Sequence, residues 1–393
     1  MFVVVRYTFR LRMTDAQRRQ LEIEWDRCRW VWNECVAETR RRYAAGEKAG
    51  GVCEVSRWLT GWRGEHEWLT AGSSVAQQQT TRDFNAALDK ARKDRAAGLG
   101  RRGRGFPKFR KRDRALPTLE YTRRGFGISD GVLVLAGGVR VRPVWSRELP
   151  SEPSSVRIYR DPVGHWHASF VVERALEPLP ESGGEIGIDW GIKAVATATE
   201  PAFDLSHSHH GDRAAGALAR YQRQQARRRR RGQPSTAGYK RASQRVARLH
   251  AKVKEQRRDE ARKWAITVVR SHDVIAIEDF KPRFLAANRR LARKGLDARI
   301  GAARRALEDA ARKHDRTLIV VPAAYTTMDC SSCGARAKHR LPLSQRTYQC
   351  DSCGHTQDRD RNAANNVLAL ATVRAGLNPA GDDRVRQGVP LAA

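Results

Sequence analysis

Two pairs of cysteines stand at the spacing of a metal site. Cys330 with Cys333 and Cys350 with Cys353 form two Cys-x-x-Cys motifs, and sixteen residues separate the pairs. Four thiolates at this spacing, each pair followed by a glycine, are typical of a structural tetrahedral Zn²⁺ site. Two disulfides are the alternative, but disulfides persist in oxidising compartments, and no signal peptide is evident. The motifs therefore predict one structural zinc ion.

Three acidic residues lie at the ends of apolar segments in an otherwise basic chain. Asp189 ends one predicted strand, Glu278 directly follows another, and Asp360 opens a final helix. Groups beyond the carboxyl ends of strands line the ligand crevice of α/β sheets. Three carboxylates brought together repel one another unless divalent cations bind them. Two Mg²⁺ ions held in this way can activate a water for the hydrolysis of a phosphodiester. Each residue also has a simpler interpretation: a turn residue, an ion-pair partner, or, for Asp358 or Asp360, a helix cap.

The charge of the chain predicts a polyanionic partner. Its 393 residues include 75 Lys and Arg against 43 Asp and Glu, a formal net charge of +32. Such a charge repels itself unless nucleic acid neutralises it. A basic protein without any such partner is the alternative.

Two segments concentrate this charge. Residues 101–114 have a net charge of +7 and include two phenylalanines, and residues 220–263 have a net charge of +14. Basic residues mixed with aromatics suit a nucleic-acid backbone and its bases; a flexible linker and a solvated helix face are the respective alternatives. The predicted nucleic-acid contacts are Lys108, Arg110, Lys111, Arg227, Arg228, Arg229, Arg230 and Arg231.

The pattern of apolar residues predicts the elements that position these groups. A strand opens the chain, and Thr14 with Gln17 forms a capping box at the start of a helix. Short strands with turn signals between 119 and 173 predict a small antiparallel sheet or barrel. After Pro178–Gly184 strands alternate with helices, which is typical of an α/β layer. The predicted core stripe of the first helix is Leu21, Trp25, Cys28, Trp32 and Cys35.

The α/β part has four predicted strands. The first strand ends at Asp189, and the other three cover 194–199, 274–277 and 318–321. One long basic helical segment over 220–263 precedes the third strand. A last helix includes Ala364 and Val367. No run approaches the ~18 apolar residues of a membrane span, so we expect neither membrane insertion nor secretion.

In this order the motifs resemble TnpB, the OrfB-type protein of bacterial insertion sequences, which is related to type V CRISPR effector nucleases. The resemblance extends to about Leu370. One departure is Thr326-Thr-Met-Asp329, where the family has a stretch rich in Ser and Lys. The motifs that carry the resemblance are Gly105-Phe-Pro-Lys-Phe-Arg110, Ile188-Asp-Trp-Gly191, Ile277-Glu-Asp-Phe280, Cys330-Ser-Ser-Cys-Gly334 and Asp358-Arg-Asp-Arg-Asn-Ala-Ala-Asn365.

The resemblance implies an α/β multidomain protein with an RNase H-like (RuvC) nuclease domain, a zinc-ribbon insert, and a β-barrel wedge domain interrupted by a helical recognition domain. We expect the wedge domain at 1–13 and 115–177 and the recognition domain at 14–114. The nuclease domain would cover 178–326 and 354–372, the zinc-binding target nucleic-acid-binding insert 327–353, and a disordered tail 373–393.

The resemblance also implies a metal-dependent, RNA-guided DNA endonuclease. Asp189, Glu278 and Asp360 would hold two catalytic Mg²⁺ ions; Asp360 is preferred to Asp358 because it directly precedes Arg-Asn-Ala-Ala. The expected partners are a structured guide RNA from the transposon end and a target double-stranded DNA, in a monomeric ribonucleoprotein. It would be cytoplasmic, and associated with the nucleoid when bound to DNA. A nuclease-dead RNA-guided DNA-binding regulator and a strand-transfer transposase are the alternatives.

Overall fold

The computed structural model describes residues 2–100, 103, 105–230, 232–233, 235–280, 300–339, 341–342 and 345–375. The sequence also predicts a basic helix after Phe280 that includes Lys281 and Lys294, and this segment lies outside the described residues. So do Arg231 and most of the predicted tail. The chain divides into two units, residues 1–175 and 176–393, which are described separately. No helix in the described part of the chain is long and apolar enough to cross a membrane.

The first unit contains a curled antiparallel sheet. Its strands follow the order β2-β6-β7-β1-β5-β4-β3, and a single 3-10 turn, Arg123–Gly125, joins the two end strands, β2 and β3. Because the sheet curls back almost onto itself, it encloses one core that includes Phe9, Leu133 and Phe170. The strands are β1 Phe2–Arg12, β2 Thr118–Thr122, β3 Phe126–Ser129, β4 Val132–Leu135, β5 Arg140–Pro143, β6 Ser155–Arg160 and β7 Trp166–Ala175.

Four helices complete the described part of the first unit. They are α1 Asp15–Ala44, α2 Val52–Glu65, α3 Glu67–Thr70 and α4 Ser74–Ala96. The capping box predicted at the start of α1 is confirmed: the Gln17 amide N–H donates to the Thr14 hydroxyl, and the Thr14 N–H donates to the Gln17 side chain. The predicted core stripe is buried over its whole length. Its first half packs into the sheet core and its second half against α4, so α1 belongs to both cores.

The second unit is built on a five-stranded sheet of order β10-β9-β8-β11-β12. The pairs β8–β9 and β9–β10 are antiparallel, whereas β8–β11 and β11–β12 are parallel. Strand β10 had no counterpart in the sequence prediction. The strands are β8 Glu185–Trp190, β9 Ala194–Ala198, β10 Leu205–Ser206, β11 Val274–Glu278 and β12 Thr317–Val321.

Helices cover both faces of this sheet. Ile188, Trp190 and Ile277 face a core formed with α6 Ala237–Ser271 and α7 Ile300–Lys313. Alternate residues such as Ala276 face α8 Arg359–Ala375 on the other side. A three-layer arrangement results, with the sheet in the middle.

The basic segment is a helical hairpin, so the prediction of one long helical segment over 220–263 is wrong. Helix α5 spans His210–Arg227, and α6 begins after Thr236, whose side chain accepts the N–H of Tyr239. The Gln225 side chain lies 2.7 Å from the Ser243 hydroxyl, and Ser208 bonds to Glu260, so the helices run antiparallel. The glycine and proline at 232 and 234 disfavour helix continuation and could have signalled this break.

Candidate active site and metal centre

The three predicted carboxylates face the same side of the second unit's sheet. Asp189 lies between Ile188 and Trp190, which both face the α6–α7 core, so its own side chain points to the α8 side. Glu278 ends β11 and alternates with Ile277 in the same way. Because Ile188 pairs with Ile277 in the parallel ladder, both carboxylates lie at the same edge of the sheet.

Helix α8 brings the third carboxylate to this edge. Asp360 is its second residue, and the helix lies against β8, where Gly187 has no side chain. A Cβ at Gly187 would overlap the carbonyl oxygen of Ala364 and also crowd Leu368. This glycine therefore allows the close approach of helix and strand that aligns the first turn of α8 with Asp189.

The three carboxylates lie close enough to affect one another electrostatically. The pKa of Asp189 is raised well above its usual value, first by burial, then by the charge of Glu278, by a hydrogen bond that Asp189 donates to it, and by the charge of Asp360. Burial also raises the pKa of Glu278. Burial and the crowding of negative charge therefore disfavour the ionised carboxylates, as expected in a site suited to positive charge.

The neighbouring Asp358 has a different role. Its Oδ1 accepts the backbone N–H groups of Asp360 and Arg361 at 3.0 and 3.2 Å, which caps the start of α8, and its side chain is exposed. Asp360 is half-buried, and Nη1 of Arg346 lies 3.7 Å from its Oδ2. The structure thus brings Asp360, and not Asp358, towards Asp189.

The donor set suits Mg²⁺, which prefers carboxylate oxygens. Within the described ranges, the four cysteines are the one group of three or more metal-ligating residues gathered closely enough to hold an ion, so the three carboxylates are more loosely gathered. A looser arrangement is compatible with two ions about 3.5–4 Å apart, as in two-metal sites.

The four cysteines form a compact tetrad. Sγ of Cys330 lies 3.7 Å from Sγ of Cys353, and Sγ of Cys333 lies 3.6 Å from Sγ of Cys350. A tetrahedral ion with Zn–S bonds of about 2.3 Å would hold its sulfurs about 3.8 Å apart, whereas a disulfide requires about 2.05 Å. The cysteines are free thiols, and their geometry fits a closed tetrahedral metal centre.

Backbone geometry explains why the two motifs can converge. Gly334 and Gly354 have φ angles of 75° and 73°, in the left-handed region that favours glycine. Their N–H groups close the turns by donating to the carbonyls of Cys330 and Cys350 at 2.8 and 3.0 Å. Each motif is therefore a tight knuckle that points its sulfurs inward.

Helix α8 also anchors this cysteine module, which the sequence interpretation missed. The fully buried Asn362 accepts the N–H of Ser331 at 2.9 Å and donates to the carbonyl of Asp329 at 2.8 Å. Asn366 donates to the carbonyls of Thr326 and Asp329 at 2.8 and 2.7 Å. The sequence does contain a signal for this contact, since two asparagines lie one helical turn apart on a helix with an apolar face.

Strands β13 Thr347–Gln349 and β14 Thr356–Asp358 form an antiparallel hairpin around the second cysteine motif. Because β14 leads directly into Arg359 and Asp360, the hairpin connects the tetrad to the third carboxylate. The cysteine tetrad and the acidic site therefore share one helix start.

The first group of predicted nucleic-acid contacts is docked on α1. The Trp32 indole N–H donates to the carbonyl of Lys108 at 2.9 Å, and the Arg110 N–H donates to Asn33 at 2.8 Å. The guanidinium of Arg110 lies 3.5 Å from the Trp32 ring centroid, and burial lowers its pKa. Lys108 and Lys111 are exposed, whereas Arg110 is half-buried. The segment is therefore held in place, and its two lysines are the more accessible cations.

The second group lies where the α5–α6 hairpin turns. Arg227 is the last residue of α5, and Arg228, Arg229 and Arg230 follow it with exposed side chains. Arg231 lies outside the described residues. The exposed arginines concentrate positive charge at one end of the hairpin.

Family models match three parts of the chain. Residues 165–289 match the OrfB/IS605 model described as "Probable transposase", and residues 301–367 match the "Cas12f1-like, TNB domain". Residues 1–48 match a model described as "Helix-turn-helix domain", although here they contain strand β1 and the single long helix α1.

Two curated relatives match along most of their length, and each is named "Putative RNA-guided DNA endonuclease". The protein of Streptomyces pristinaespiralis is 31% identical, with 92% of this chain and 88% of the relative covered. InsQ of Escherichia coli (strain K12) is 28% identical, with coverages of 98% and 96%. A solved structure of the Cas12f1–sgRNA–target DNA complex is similar in fold, with a TM-score of 0.57 and 11% identity over 93% of this chain and 99% of that one.

Proposed function

Because the chain belongs to the TnpB family of insertion-sequence proteins, which is related to type V CRISPR effectors, we propose that it is an RNA-guided DNA endonuclease. The observation that carries the proposal is the convergence of Asp189, Glu278 and Asp360 on one face of the sheet. A nuclease-dead regulator needs none of these three carboxylates, whereas this chain has them all.

We assign the three carboxylates as ligands of two Mg²⁺ ions. Bound Mg²⁺ would supply an activated water and would neutralise the charge that develops on the phosphate. A bound cation would offset the negative charge of Glu278 and Asp360, which adds to burial in raising the pKa of Asp189, and would favour the ionised carboxylates. Asp360 completes the site from the helix side. The half-exposed guanidinium of Arg346 adds a positive charge beside Asp360, where an anionic phosphate would be favoured.

We assign the cysteine tetrad as a structural site for one Zn²⁺. Four cysteines leave no open coordination position, so the ion would have a folding role. Among the described residues, the apolar cluster at the tetrad is small, consisting of Cys330, Tyr348 and Cys350 with Ala335 and Leu341 alongside.

The partners follow from the family and from the charge. A structured guide RNA pairs with one strand of a target DNA, so the RNA supplies sequence specificity and the protein binds the heteroduplex through its backbone. The exposed Lys108 and Lys111 and the arginines after α5 are assigned to such backbone contacts. We further propose a monomeric ribonucleoprotein.

We retain the domain assignment made from the sequence. The curled sheet supports a wedge domain at 1–13 and 115–177, and α1–α4 support a helical recognition domain at 14–114. The sheet order of the second unit, with three antiparallel strands followed by two parallel ones, supports an RNase H-like domain at 178–326 and 354–372. Residues 327–353 contain the cysteine tetrad and form the target-binding insert.

Cleavage by purified guide-loaded complexes tests the catalytic assignment. Asp189→Asn, Glu278→Gln and Asp360→Asn keep the side-chain shape but remove the charge, and each should abolish target cutting in Mg²⁺ while guide RNA remains bound. Asp358→Asn is the matched control, since an asparagine still caps the helix. Undiminished cutting by the Asp189 variant would refute the assignment of the catalytic site. An inactive Asp358 variant together with an active Asp360 variant would show that Asp358, and not Asp360, is the third ligand.

A further inference from the structure

A two-pronged ion pair lies directly beside the third carboxylate. Nη1 of Arg361 lies 2.9 Å from Oδ1 of Asp204, and Nη2 lies 2.8 Å from Oδ2. Both side chains are largely buried, with 16% and 27% of their surfaces exposed. A bidentate guanidinium–carboxylate pair fixes orientation as well as distance.

The pair connects α8 to the sheet through Ala198. Oδ1 of Asp204 accepts the Ala198 N–H at 2.8 Å, and Nη1 of Arg361 donates to the Ala198 carbonyl. Ala198 is the ladder partner of Ile188, the residue before Asp189. A continuous set of hydrogen bonds therefore links the residue after the third carboxylate to the strand position next to the first.

Successive residues on a helix point about 100° apart, since 3.6 residues complete a turn. Fixing Arg361 against Asp204 therefore sets the rotation of the first turn of α8 and, with it, the direction of Asp360. The Asp358 carboxylate accepts two N–H groups of the turn itself, those of Asp360 and Arg361, and so holds the turn to the preceding chain rather than to β8 or β9. The bond to Asp204 thus supplies the sideways restraint that the cap lacks.

We propose that Arg361 and Asp204 are positioning residues that hold Asp360 at the distance from Asp189 and Glu278 at which the three bind divalent metal. The proposal rests on the proposed function, in which these carboxylates are the metal ligands. Partners that orient a metal ligand typically contribute 10- to 100-fold to metal affinity.

Calorimetric titration of Mn²⁺ into the guide-loaded complex tests this without relying on activity. Arg361→Lys keeps the charge but cannot form the two-pronged contact, and Asp204→Asn still accepts the Ala198 N–H but loses the pair. Each should weaken Mn²⁺ binding roughly 10-fold or more and raise the Mg²⁺ concentration for half-maximal cleavage. The double variant should be no weaker than the worse single one, because the residues act as a unit.

The control is Arg157→Lys, which alters a guanidinium contact with Glu120 in the first unit and should leave Mn²⁺ affinity unchanged. Lower thermal stability of the Arg361 and Asp204 variants with unchanged Mn²⁺ affinity would reduce the pair to a structural role and overturn the proposal. Unchanged Mn²⁺ binding by Asp360→Asn would instead overturn the metal assignment itself, so the two failures are distinguishable.

Discussion

The cysteine tetrad and the carboxylate site are built at different scales. The four sulfurs come from two turns between Cys330 and Cys353, and local backbone geometry alone brings each motif into shape. The carboxylates come from two strands and a helix between Asp189 and Asp360, and only the sheet ladder and helix packing bring them together. Residue spacing in the sequence is therefore enough to identify the cysteine site. The carboxylate site, in contrast, depends on the long-range topology of the fold.

The two sites nevertheless depend on the same element. The start of α8 carries Asp360, and Asn362 of the same helix binds the cysteine module. The hairpin β13–β14 ends directly at this helix. A disturbance of the tetrad should therefore reach the acidic site through this helix.

Removal of one cysteine from the tetrad should have the largest effect on both sites. Structural zinc binding contributes about 10 kcal/mol or more to folding of such modules, so Cys350→Ser should eliminate bound zinc, unfold residues 327–358 locally and abolish target cleavage. Elemental analysis, hydrogen exchange and a cleavage assay measure the three effects. The control is Cys53→Ser, because Cys53 is exposed and lies outside the tetrad. A zinc-free complex that remains ordered and active would show that the sites are independent.

A side chain at Gly187 should disrupt the carboxylate site and spare the tetrad. Gly187→Ala places a methyl group against the Ala364 carbonyl, which should cost about 1–3 kcal/mol of stability. Displacing α8 by about 1 Å can reduce cleavage by on the order of 10²-fold. Urea unfolding, zinc content and cleavage rate test this separation.

Gly216→Ala is the matched change for that experiment. Gly216 lies in α5 with no atom within 4 Å of an added Cβ, so alanine there should stabilise the helix by up to about 1 kcal/mol. Cleavage by the Gly187 variant at the unmodified rate would contradict the close helix–strand packing.

The fold could be predicted from sequence where the signal is local. The first strand, the Thr14–Gln17 cap and the buried stripe from Leu21 to Cys35 all follow from periodicity and capping chemistry. The break between α5 and α6 was missed because basic residues continue through it and obscured the turn signals. Charge alone does not distinguish one helix from two.

Long-range partners could not be predicted. Arg110 was expected to contact nucleic acid, but its stacking on Trp32 depends on the 105–111 segment folding back onto α1. The pairing of Arg361 with Asp204 likewise depends on where β9 and β10 place Asp204. Such contacts are properties of the tertiary structure, and residue spacing does not encode them.

The smallest of these effects should come from loosening the connection between the two sites. Asn362→Ala removes the amide that satisfies the Ser331 N–H and the Asp329 carbonyl, which should cost about 1–3 kcal/mol because buried polar groups lose their partner. Hydrogen exchange of 327–358 should rise while zinc is retained. Asn365→Ala, at a half-buried position bonded to Gln357, should change exchange less. Equal hydrogen-exchange protection in the Asn362 variant and the unmodified protein would show that α8 does not connect the two sites through Asn362.

Redirecting the guide tests the central claim most directly. A purified complex that carries a guide RNA of chosen sequence should cut a plasmid with the matching target in Mg²⁺, and a second guide should move the cut to the second target. The Asp189→Asn complex should bind each matching target equally well and cut neither. Cleavage that ignores the guide sequence, or that persists without the Asp189 carboxylate, would contradict the account.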